Sequence, residues 1–333
     1  MLVAALAASL PAAAFAAARR PSPAARRDLA SAIVLYHRLE LTSARDRFDA
    51  AIKAFPGWKT AAGFRAACRW TLGDRAGAQE DARVAARLSP NGVESYAARG
   101  KARLILKDYA GALADFRAAE KADPRSVEGP LGAGSVLSAQ GRLSEALPRL
   151  DAAVRADPES AAALLLRGSV RERLRDFRGA ADDYQALLQI NPKFSWARLY
   201  LAKALRELKD YKGSEAELTG FLDDNPDQED AIYLRSNVRF LIGDYRGAAA
   251  DLTKVISLDP RKGLAYSNRG VARAALGDKA GALADLRKAL ELDPTRRDKI
   301  QAVIDSIGAS DASGAAPGAP DGAAPPPDAA PSP

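Results

Sequence analysis

The chain contains few of the side chains on which enzymes and metal sites depend. Its 333 residues include one cysteine, Cys68, and one histidine, His37. A single cysteine excludes an internal disulfide and a cysteine-based metal cluster. A single histidine does not supply the several imidazoles of most zinc sites, and a triad needs further partners around its base. The sequence therefore predicts a protein that is not an enzyme and that holds no metal or cofactor.

Aromatic residues are also scarce, at 6% of the chain, whereas 47% of the residues are hydrophobic and alanine dominates that class. Alanine favours closely packed helices over strands. No apolar run reaches the roughly 20 residues that a helix needs to cross a bilayer. We therefore expect a helical chain whose mature form has no integral membrane segment.

The two ends of the chain differ in composition from its centre. A short apolar run, residues 2–10, precedes small residues that fit signal-peptidase cleavage, so residues 1–18 are predicted to be a secretory signal and 19–24 a leader. The expected location is the bacterial periplasm or the outside of the cell. Because no Lys or Arg precedes the apolar run, an uncleaved leader on a cytoplasmic protein stays open. Residues 309–333, rich in Ala, Pro, Gly, Ser and Asp, are predicted to be a disordered tail.

Between these ends, prolines recur every 34 residues without an insertion, as Pro56, Pro90, Pro124, Pro158, Pro192, Pro226, Pro260 and Pro294. From Pro124 onward each follows Asp or Asn. Proline lacks an N–H and restricts the residue before it, so this pair ends one helix and begins the next. The period predicts eight repeats, at 25–58, 59–92, 93–126, 127–160, 161–194, 195–228, 229–262 and 263–296.

Two positions in every repeat carry a small residue. We number each repeat from 1 to 34 and call each position a place. Place 8 holds Ala32, Ala66, Gly100, Gly134, Gly168, Ala202, Ser236 and Gly270, and place 20 holds Ala44, Ala78, Ala112, Ala146, Ala180, Ser214, Ala248 and Ala282. Because helices approach closely only where neither side chain is bulky, these places predict the crossing of a helical hairpin. Larger apolar residues at place 24, such as Phe116 and Leu286, fill the space beside it.

The last repeat shows the whole pattern most clearly, in Tyr266-Ser267-Asn268-Arg269-Gly270, Leu276-Gly277-Asp278, Ala282-Leu283 and Leu290-Glu291-Leu292-Asp293-Pro294. The chain thereby resembles the tetratricopeptide repeat (TPR) family over residues 25–296. The resemblance implies an all-α, right-handed superhelical solenoid of eight TPR helical hairpins. Residues 297–308 place Ile300, Val303, Ile304 and Ile307 on one helical face, which is similar to the capping helix of that family.

Five repeats carry Arg at place 7 together with Asp at place 23, and the other three carry neither. The pairs are Arg65 and Asp81, Arg99 and Asp115, Arg167 and Asp183, Arg235 and Asp251, and Arg269 and Asp285. This joint occurrence predicts structural ion pairs between the two helices of a hairpin and weighs against an anion-binding ladder. A second Arg lies one helical turn further on, as at Arg103, and the sequence does not indicate its partner.

In the resembled family, the concave groove is formed by places 2, 5, 9, 12 and 13 of the first helices. On this chain these places carry five basic and five acidic residues, so no nucleic acid partner is expected despite the net charge of +7. The resemblance implies a groove that binds an extended peptide or partner protein through Trp70, Lys101, Trp196, Lys203, Arg206, Tyr233, Asn237 and Phe240. Packing of these rings between repeats, or their burial in a self-assembling homo-oligomeric scaffold, stays an alternative. A nucleic-acid-binding helical-repeat protein is a further, less favoured alternative.

Three single residues receive their own predictions. His37 falls on a groove place, where we expect a solvated side chain in preference to a polar contact. Cys68 is expected to be a small packing residue and not a nucleophile. Pro148 lies inside a predicted second helix, where it should kink the helix, so residues 127–160 are expected to be the softest repeat.

Overall fold

The computed structural model describes residues 21–313, and this range forms α-helices, one 3₁₀ turn at Pro294–Arg296 and no strand. The first helices of the eight repeats are α1 (Pro23–His37), α3 (Lys59–Thr71), α5 (Val93–Ile105), α7 (Glu128–Ala139), α9 (Ala161–Arg173), α11 (Trp196–Glu207), α13 (Glu229–Leu241) and α15 (Gly263–Ala275). The second helices are α2 (Leu41–Ala54), α4 (Arg75–Ala85), α6 (Tyr109–Ala122), α8 (Leu143–Ala156), α10 (Phe177–Ile190), α12 (Tyr211–Asp224), α14 (Tyr245–Leu258) and α16 (Lys279–Leu292). The all-α prediction of consecutive helical pairs is confirmed.

The chain divides into two compact units. The N-terminal unit comprises residues up to Ala139 together with Arg155–Asp157, and the C-terminal unit comprises Gln140–Val154 and the residues from Pro158 onward. Within the N-terminal unit, α1 to α7 pack each against the next, and α3 and α5 also pack against the first helix that follows them. Within the C-terminal unit, α9 to α16 pack each against the next, and α17 (Arg297–Ser313) packs on α15 and α16.

The two helices of each hairpin cross at buried, closely packed residues. The small residues at place 20 are fully buried in all eight repeats, from Ala44 to Ala282. A Cβ atom built on Gly168, at place 8, would lie 2.7 Å from the ring of Tyr184, at place 24. Gly132 approaches the ring of Phe116 still more closely, because a Cβ there would lie 2.0 Å from its Cδ1 atom. Glycine in this repeat therefore serves close helix packing as well as flexibility.

The turn between the two helices of a hairpin requires a left-handed backbone at place 15. Gly73, Gly141, Gly243 and Gly277 fill this place with positive φ, and Leu39, Lys107, Arg175 and Lys209 adopt a φ of 60° to 64°. The Asp that follows caps the second helix, as when the Asp108 carboxylate accepts a hydrogen bond from the N–H of Gly111 at 2.9 Å. Six of the turns carry this cap, at Asp74, Asp108, Asp176, Asp210, Asp244 and Asp278. Each cap satisfies one N–H group that the helix leaves free.

The capping helix covers the end of the last repeat. Ile300 and Ile307 of α17 are buried against Ala282, Leu286 and Ala289, with Val303 and Ile304 partly buried beside them. The helix continues to Ser313, beyond the end expected at residue 308, because Ala and Ser residues extend it and no proline occurs before Pro317. Residues 309–313, predicted as the start of the disordered tail, are therefore helical, and the rest of that prediction, residues 314–333, lies outside the described residues, as does the predicted signal over residues 1–18. Within the described range, no helix is long and apolar enough to span a membrane.

Candidate functional site

All five Arg and Asp pairs that the sequence indicates are present as bidentate ion pairs. In the Arg99–Asp115 pair the guanidinium Nη2 atom lies 2.6 Å from Oδ1, and the corresponding distances in the other four are 2.6 to 2.7 Å. The Asp side chains are almost fully buried, whereas the arginines are 12% to 20% exposed. All five arginines also reach the preceding repeat, as when Arg65 donates to Asp49 at 2.7 Å. The pairs therefore fasten the two helices of a hairpin and join neighbouring repeats.

The second arginine of these repeats shares the same carboxylate. Arg103 donates from Nη1 to Asp115 Oδ2 at 2.9 Å, and Arg69, Arg171, Arg239 and Arg273 make the same contact in their repeats. Each buried Asp thus accepts from two guanidinium groups. The sequence showed both arginines but not that one carboxylate serves both.

Two of the repeats without the place-7 arginine use another pairing. Glu217, at place 23, accepts from Arg198, at place 4, with 2.9 Å between the atoms. Arg47 and Asp28 occupy the same two places in the first repeat with the charges reversed, 3.7 Å apart. Place 23 therefore carries a charge paired with the first helix in these repeats also.

A buried charged cluster joins three first helices of the N-terminal unit. His37 at the end of α1 donates from Nε2 to Oε1 of Glu128, which begins α7, at 2.9 Å. The other carboxylate oxygen of Glu128 lies 2.9 Å from the ammonium group of Lys101, on α5. All three side chains are less than one tenth exposed. The expectation of a solvated His37 was wrong, because the packed first helices enclose its ring.

Aromatic rings and the single thiol surround this cluster. The Lys101 ammonium lies 5.0 Å from the ring centre of Tyr36, 5.3 Å from Phe64 and 5.8 Å from Phe116. Burial raises the pKa of Glu128, but Lys101 and His37 outweigh burial and hold that pKa at about 2. Burial lowers the pKa of Lys101, but Glu128 outweighs it and keeps the pKa above its usual value. Glu128 and Lys101 are therefore both charged at neutral pH.

Cys68 is fully buried, and burial raises the pKa of its thiol to about 12. Such a thiol is protonated at neutral pH and is a poor nucleophile. The chain's one cysteine and one histidine thus both lie in the interior of the N-terminal unit. The described residues contain no group of three or more His, Cys, Asp and Glu side chains placed to hold a metal ion.

The two predicted groove residues of the N-terminal unit are engaged within it. Lys101 is buried in the cluster with Glu128. Trp70 is half-buried, and the guanidinium carbon of Arg75 lies 4.0 Å from its ring centre. Groove contacts by these two residues would have to compete with the contacts that they already make.

In the C-terminal unit, a hydrogen-bonded network joins two neighbouring first helices. Asn268 on α15 donates its amide to the Tyr233 hydroxyl on α13 at 2.9 Å and to the Asn237 Oδ1 atom at 3.4 Å. The Lys262 ammonium, which is bonded to Glu229, lies 5.2 Å from the centre of the Tyr233 ring. Asn268 and Lys262 were not predicted as groove residues, although Asn268 stands inside the motif that carried the family resemblance.

The other predicted groove residues of this unit have separate surroundings. Trp196 is 40% exposed and lies edge-on against Phe221, with ring centres 5.3 Å apart. Phe240 lies edge-on against Tyr245 at 5.0 Å, and Arg206 is bonded to Glu207 at 2.8 Å. Lys203 is half-buried. The structure thus places Tyr233 and Asn237 in one network. Trp196, Phe240 and Arg206 each contact a different side chain outside that network.

Comparison with known families is consistent with the repeats. Two family models described as tetratricopeptide repeat match the chain, one over residues 131–193 and 233–297 and the other over residues 173–238. These matches together run continuously from residue 131 to residue 297. No curated protein sequence matches the chain.

Solved structures share the fold at low sequence identity. YrrB, described as a TPR protein with an unusual peptide-binding site, is 22% identical, with a TM-score of 0.51 over 54% of this chain and 92% of its own. A hetero-tetramer of the APC/C, Cut9-Hcn1, is 13% identical, with a TM-score of 0.59 over 84% of this chain and 55% of the other. PilF of Pseudomonas aeruginosa is 20% identical, with a TM-score of 0.49 over 61% and 92% of the two chains. The likenesses to YrrB and to Cut9-Hcn1 concern the fold alone.

Proposed function

Because the chain belongs to the tetratricopeptide repeat family, we propose that it is a non-catalytic scaffold that binds an extended segment of a partner protein. The proposed binding surface, which we call the C-terminal groove, consists of Trp196, Lys203, Tyr233, Asn237 and Phe240. Proteins of this fold serve in general as protein-interaction scaffolds. The fold does not name the partner, because such proteins keep their framework and vary the side chains of the groove.

The observation that carries the proposal is the network of Tyr233, Asn237 and Asn268. Asn268 uses its amide N–H groups inside the network, so its carbonyl oxygen is left to accept from a ligand. The Tyr233 hydroxyl, which accepts from Asn268, keeps its own proton to donate. An extended peptide presents one N–H and one C=O per residue, and an amide side chain matches both. A fixed set of donors and acceptors binds such a backbone without reordering its own side chains.

Two further residues indicate which side chains the partner would present. Trp196 offers an exposed aromatic face held in place by Phe221, and such anchors suit an apolar side chain. Lys203 offers a half-buried ammonium group, which suits a carboxylate. The proposed ligand is therefore an extended segment with at least one acidic and one apolar side chain.

The N-terminal unit is the less suitable place for this partner. Its groove lysine is buried with Glu128 and His37, and its groove tryptophan is covered on one face by Arg75. Displacing an ion-paired buried lysine leaves charges without partners, which is strongly unfavourable. Binding there would require the cluster to open first.

A peptide-display experiment tests the proposal. Peptides would first be selected for binding to the purified chain. Fluorescence anisotropy would then give their affinity for wild type and for a variant carrying Trp196→Ala, Lys203→Ala, Tyr233→Phe and Asn237→Ala. We expect the variant to lose about tenfold or more in affinity, because anchors at a groove centre carry most of the binding energy. Tyr233→Phe removes the hydroxyl and keeps the ring that packs in the core.

The matched control is a variant with Val84→Ala and Leu258→Ala, two exposed apolar residues on second helices. This control should bind as wild type does. Equal binding by the groove variant and wild type would move the site away from these residues. Light scattering on the same samples tests the homo-oligomeric scaffold. If the chain self-assembles through the groove, the groove substitutions should lower the mass of the assembly and not the affinity for a peptide.

Export of the protein is a separate proposal and rests on residues 1–18. Expression with and without these residues in a bacterial host, followed by fractionation and mass determination of the mature chain, tests it. Recovery of an uncleaved chain in the cytoplasm would contradict export.

A further inference from the structure

Exposed large apolar residues of the C-terminal unit concentrate at the turns between first and second helices. Leu174, Leu208 and Leu276 occupy place 14 of their repeats and are 38%, 38% and 47% exposed, and Leu241 at place 13 is 41% exposed. One such residue therefore occurs in each of the four repeats from 161 to 296. Because these hairpins pack consecutively in the same order, the four turns lie along one edge of the unit. We call this the turn edge and define it as residues 174–178, 208–212, 241–246 and 276–280.

The carboxylates of the turn edge are already engaged. Asp176, Asp210, Asp244 and Asp278 each cap a second helix by accepting a backbone N–H, at 2.9 to 3.0 Å. Three of them also lie 3.7 to 3.8 Å from the Nε atom of an arginine inside the hairpin. Their negative charge is therefore balanced within the repeat by helix N-termini and by partly buried arginines.

The cations of the same edge point into solvent. Arg178, Lys209, Lys212 and Arg246 are exposed and are not paired with any carboxylate in the described part of the chain. Arg175 is also exposed and lies over the ring of Phe177, 5.2 Å from its centre. The turn edge consequently presents positive charge between protruding leucines.

Two of these cations occupy a costly backbone position. Arg175 and Lys209 have a φ of 64° and 63° at place 15, where the corresponding turns of the last two repeats have glycine. A residue with a side chain in this region is strained relative to glycine. The side chains at these two turns are therefore present in spite of the backbone strain.

The opposite edge of the same unit has a different character. It contains Asp223 and Asp224 before Pro226, both exposed, and Asp227 after it. Its exposed cations include Lys193 and Arg261, which lie in separate loops. Exposed leucines are thus more frequent along the turn edge, which has four, than along the opposite edge, which has Leu258 beside several exposed carboxylates.

We propose that the turn edge of the C-terminal unit docks on an anionic lipid surface. Single leucines, half-buried aromatic residues at the start of second helices (Phe177, Tyr211 and Tyr245) and unpaired Lys and Arg are the three classes of side chain that partition into a headgroup layer. The leucines are separated by one repeat each, and a fluid lipid layer admits separate side chains without the matched contiguous surface that a protein partner needs. Docking leaves the C-terminal groove for its own ligand.

Vesicle binding by the full chain tests the proposal. Co-sedimentation would use unilamellar vesicles of phosphatidylcholine alone and of phosphatidylcholine with about 30% phosphatidylglycerol, at low and high salt. Binding is expected only with the anionic lipid, and it should weaken at high salt because surface charges are screened. A Lys209→Glu, Lys212→Glu variant and a Leu174→Ser, Leu208→Ser, Leu276→Ser variant should each bind roughly tenfold or more weakly.

Two controls separate the edge from general effects. Lys193→Glu, Arg261→Glu makes the same change in net charge on the opposite edge, and Leu258→Ser removes an exposed leucine there. Both should bind within about twofold of wild type, since their changes lie away from the lipid in the docked state. The apolar run at residues 2–10 is common to all variants, so a difference between them reports on the edge. Circular dichroism melts would establish that each variant is folded.

The proposal is overturned if wild type ignores anionic vesicles, if the edge variants bind as wild type does, or if the opposite-edge charge variant loses as much binding as Lys209→Glu, Lys212→Glu. Binding of an acidic protein to the turn edge, without binding of anionic vesicles, would also overturn the proposal in favour of a protein partner.

Discussion

Glu128 is a single carboxylate on which a lysine and a histidine of the N-terminal unit both depend. Removing one member of a buried ionic cluster leaves the others without a partner, which typically costs 3–5 kcal/mol. Lys101, with a buried side chain ringed by Tyr36, Phe64 and Phe116, has no access to water as a substitute. The stability of this unit should therefore depend on the charge of Glu128.

We expect Glu128→Gln to destabilise the protein at pH 7 and to lose most of this effect in acid. The folded pKa of Glu128, about 2, lies below its value of 4.5 in an unfolded chain, so the stabilisation is complete above pH 4.5 and is lost as the pH falls towards 2. The difference in unfolding free energy between wild type and variant should shrink by about 3 kcal/mol over that range. Urea titrations at several pH values measure it.

Glu145→Gln is the matched control for that titration, because Glu145 is exposed and pairs with Arg142 on the surface. Its unfolding midpoint should follow wild type at every pH. A difference for Glu128→Gln that does not change between pH 7 and pH 2 would show that the carboxylate is not charged in the folded protein.

The shared carboxylate of Asp115 leads to a second prediction at the level of the residue. Asp115→Ala leaves Arg99 and Arg103 without their acceptor, so we expect a loss of about 3–5 kcal/mol in unfolding free energy. Double-mutant cycles of Asp115→Ala with Arg99→Ala and with Arg103→Ala should each give a coupling of roughly 0.5–3 kcal/mol. Denaturant unfolding provides the values, and the exposed Arg142–Glu145 pair should give no resolvable coupling. A zero coupling for Arg103 would mean that its contact with Asp115 is incidental.

Helices of this protein obey local rules with one exception. An Asp caps six of the eight second helices, and a left-handed residue precedes it at place 15 of every repeat, because a tight hairpin turn leaves few alternatives. Helix α8 departs from these rules, since Pro148 lies in its interior and the helix continues through it. Proline there lacks an N–H and its ring crowds the carbonyl group of Ser144.

We expect Pro148→Ala to raise the unfolding free energy by about 1–3 kcal/mol, because it restores a helical hydrogen bond. In wild type, amides of residues 127–160 should exchange with solvent before those of other repeats. Hydrogen exchange followed by mass spectrometry measures the second effect and urea unfolding the first. Pro158→Ala serves as the comparison, since proline in a loop restricts the unfolded chain and its loss should lower stability slightly. A neutral or destabilising Pro148→Ala would indicate that proline does not weaken the helix at this position.

Across the whole molecule, stability is distributed along the repeats. Within its unit, each helix packs mainly on the one or two helices that follow it in the chain. Most tertiary contacts therefore join residues of the same repeat or of neighbouring repeats. Repeat proteins of this sort lose structure locally, near the weakened repeat, before they unfold completely.

Leu286→Ala should therefore remove exchange protection mainly from residues 229–313, and Phe48→Ala mainly from residues 25–92. Both side chains are fully buried beside a hairpin crossing, and such truncations cost about 2–5 kcal/mol. Exchange mass spectrometry on the two variants under the same conditions compares the two ends directly. An even loss over all repeats in both variants would instead show that the protein unfolds as one cooperative body.

The sequence by itself determined the repeat, its two helices, the small residues at each crossing and the residues of the Arg and Asp pairs. These features depend on interactions within one repeat, so the proline spacing and the residue at each place suffice to predict them. Glycine at some turns and Asp after all but two of them likewise follow from the local backbone.

Only the tertiary structure decided what happens between repeats. His37, Lys101 and Glu128 are 27 to 91 residues apart, and no periodic pattern relates them, so the sequence indicated a solvated histidine and a groove lysine where the structure has a buried cluster. The contact of Asn268 with Tyr233 and the second arginine on each Asp were missed for the same reason. Packing of successive first helices brings such side chains together, and their burial and their neighbours then determine their charge. The spacing of residues along the chain does not predict either effect.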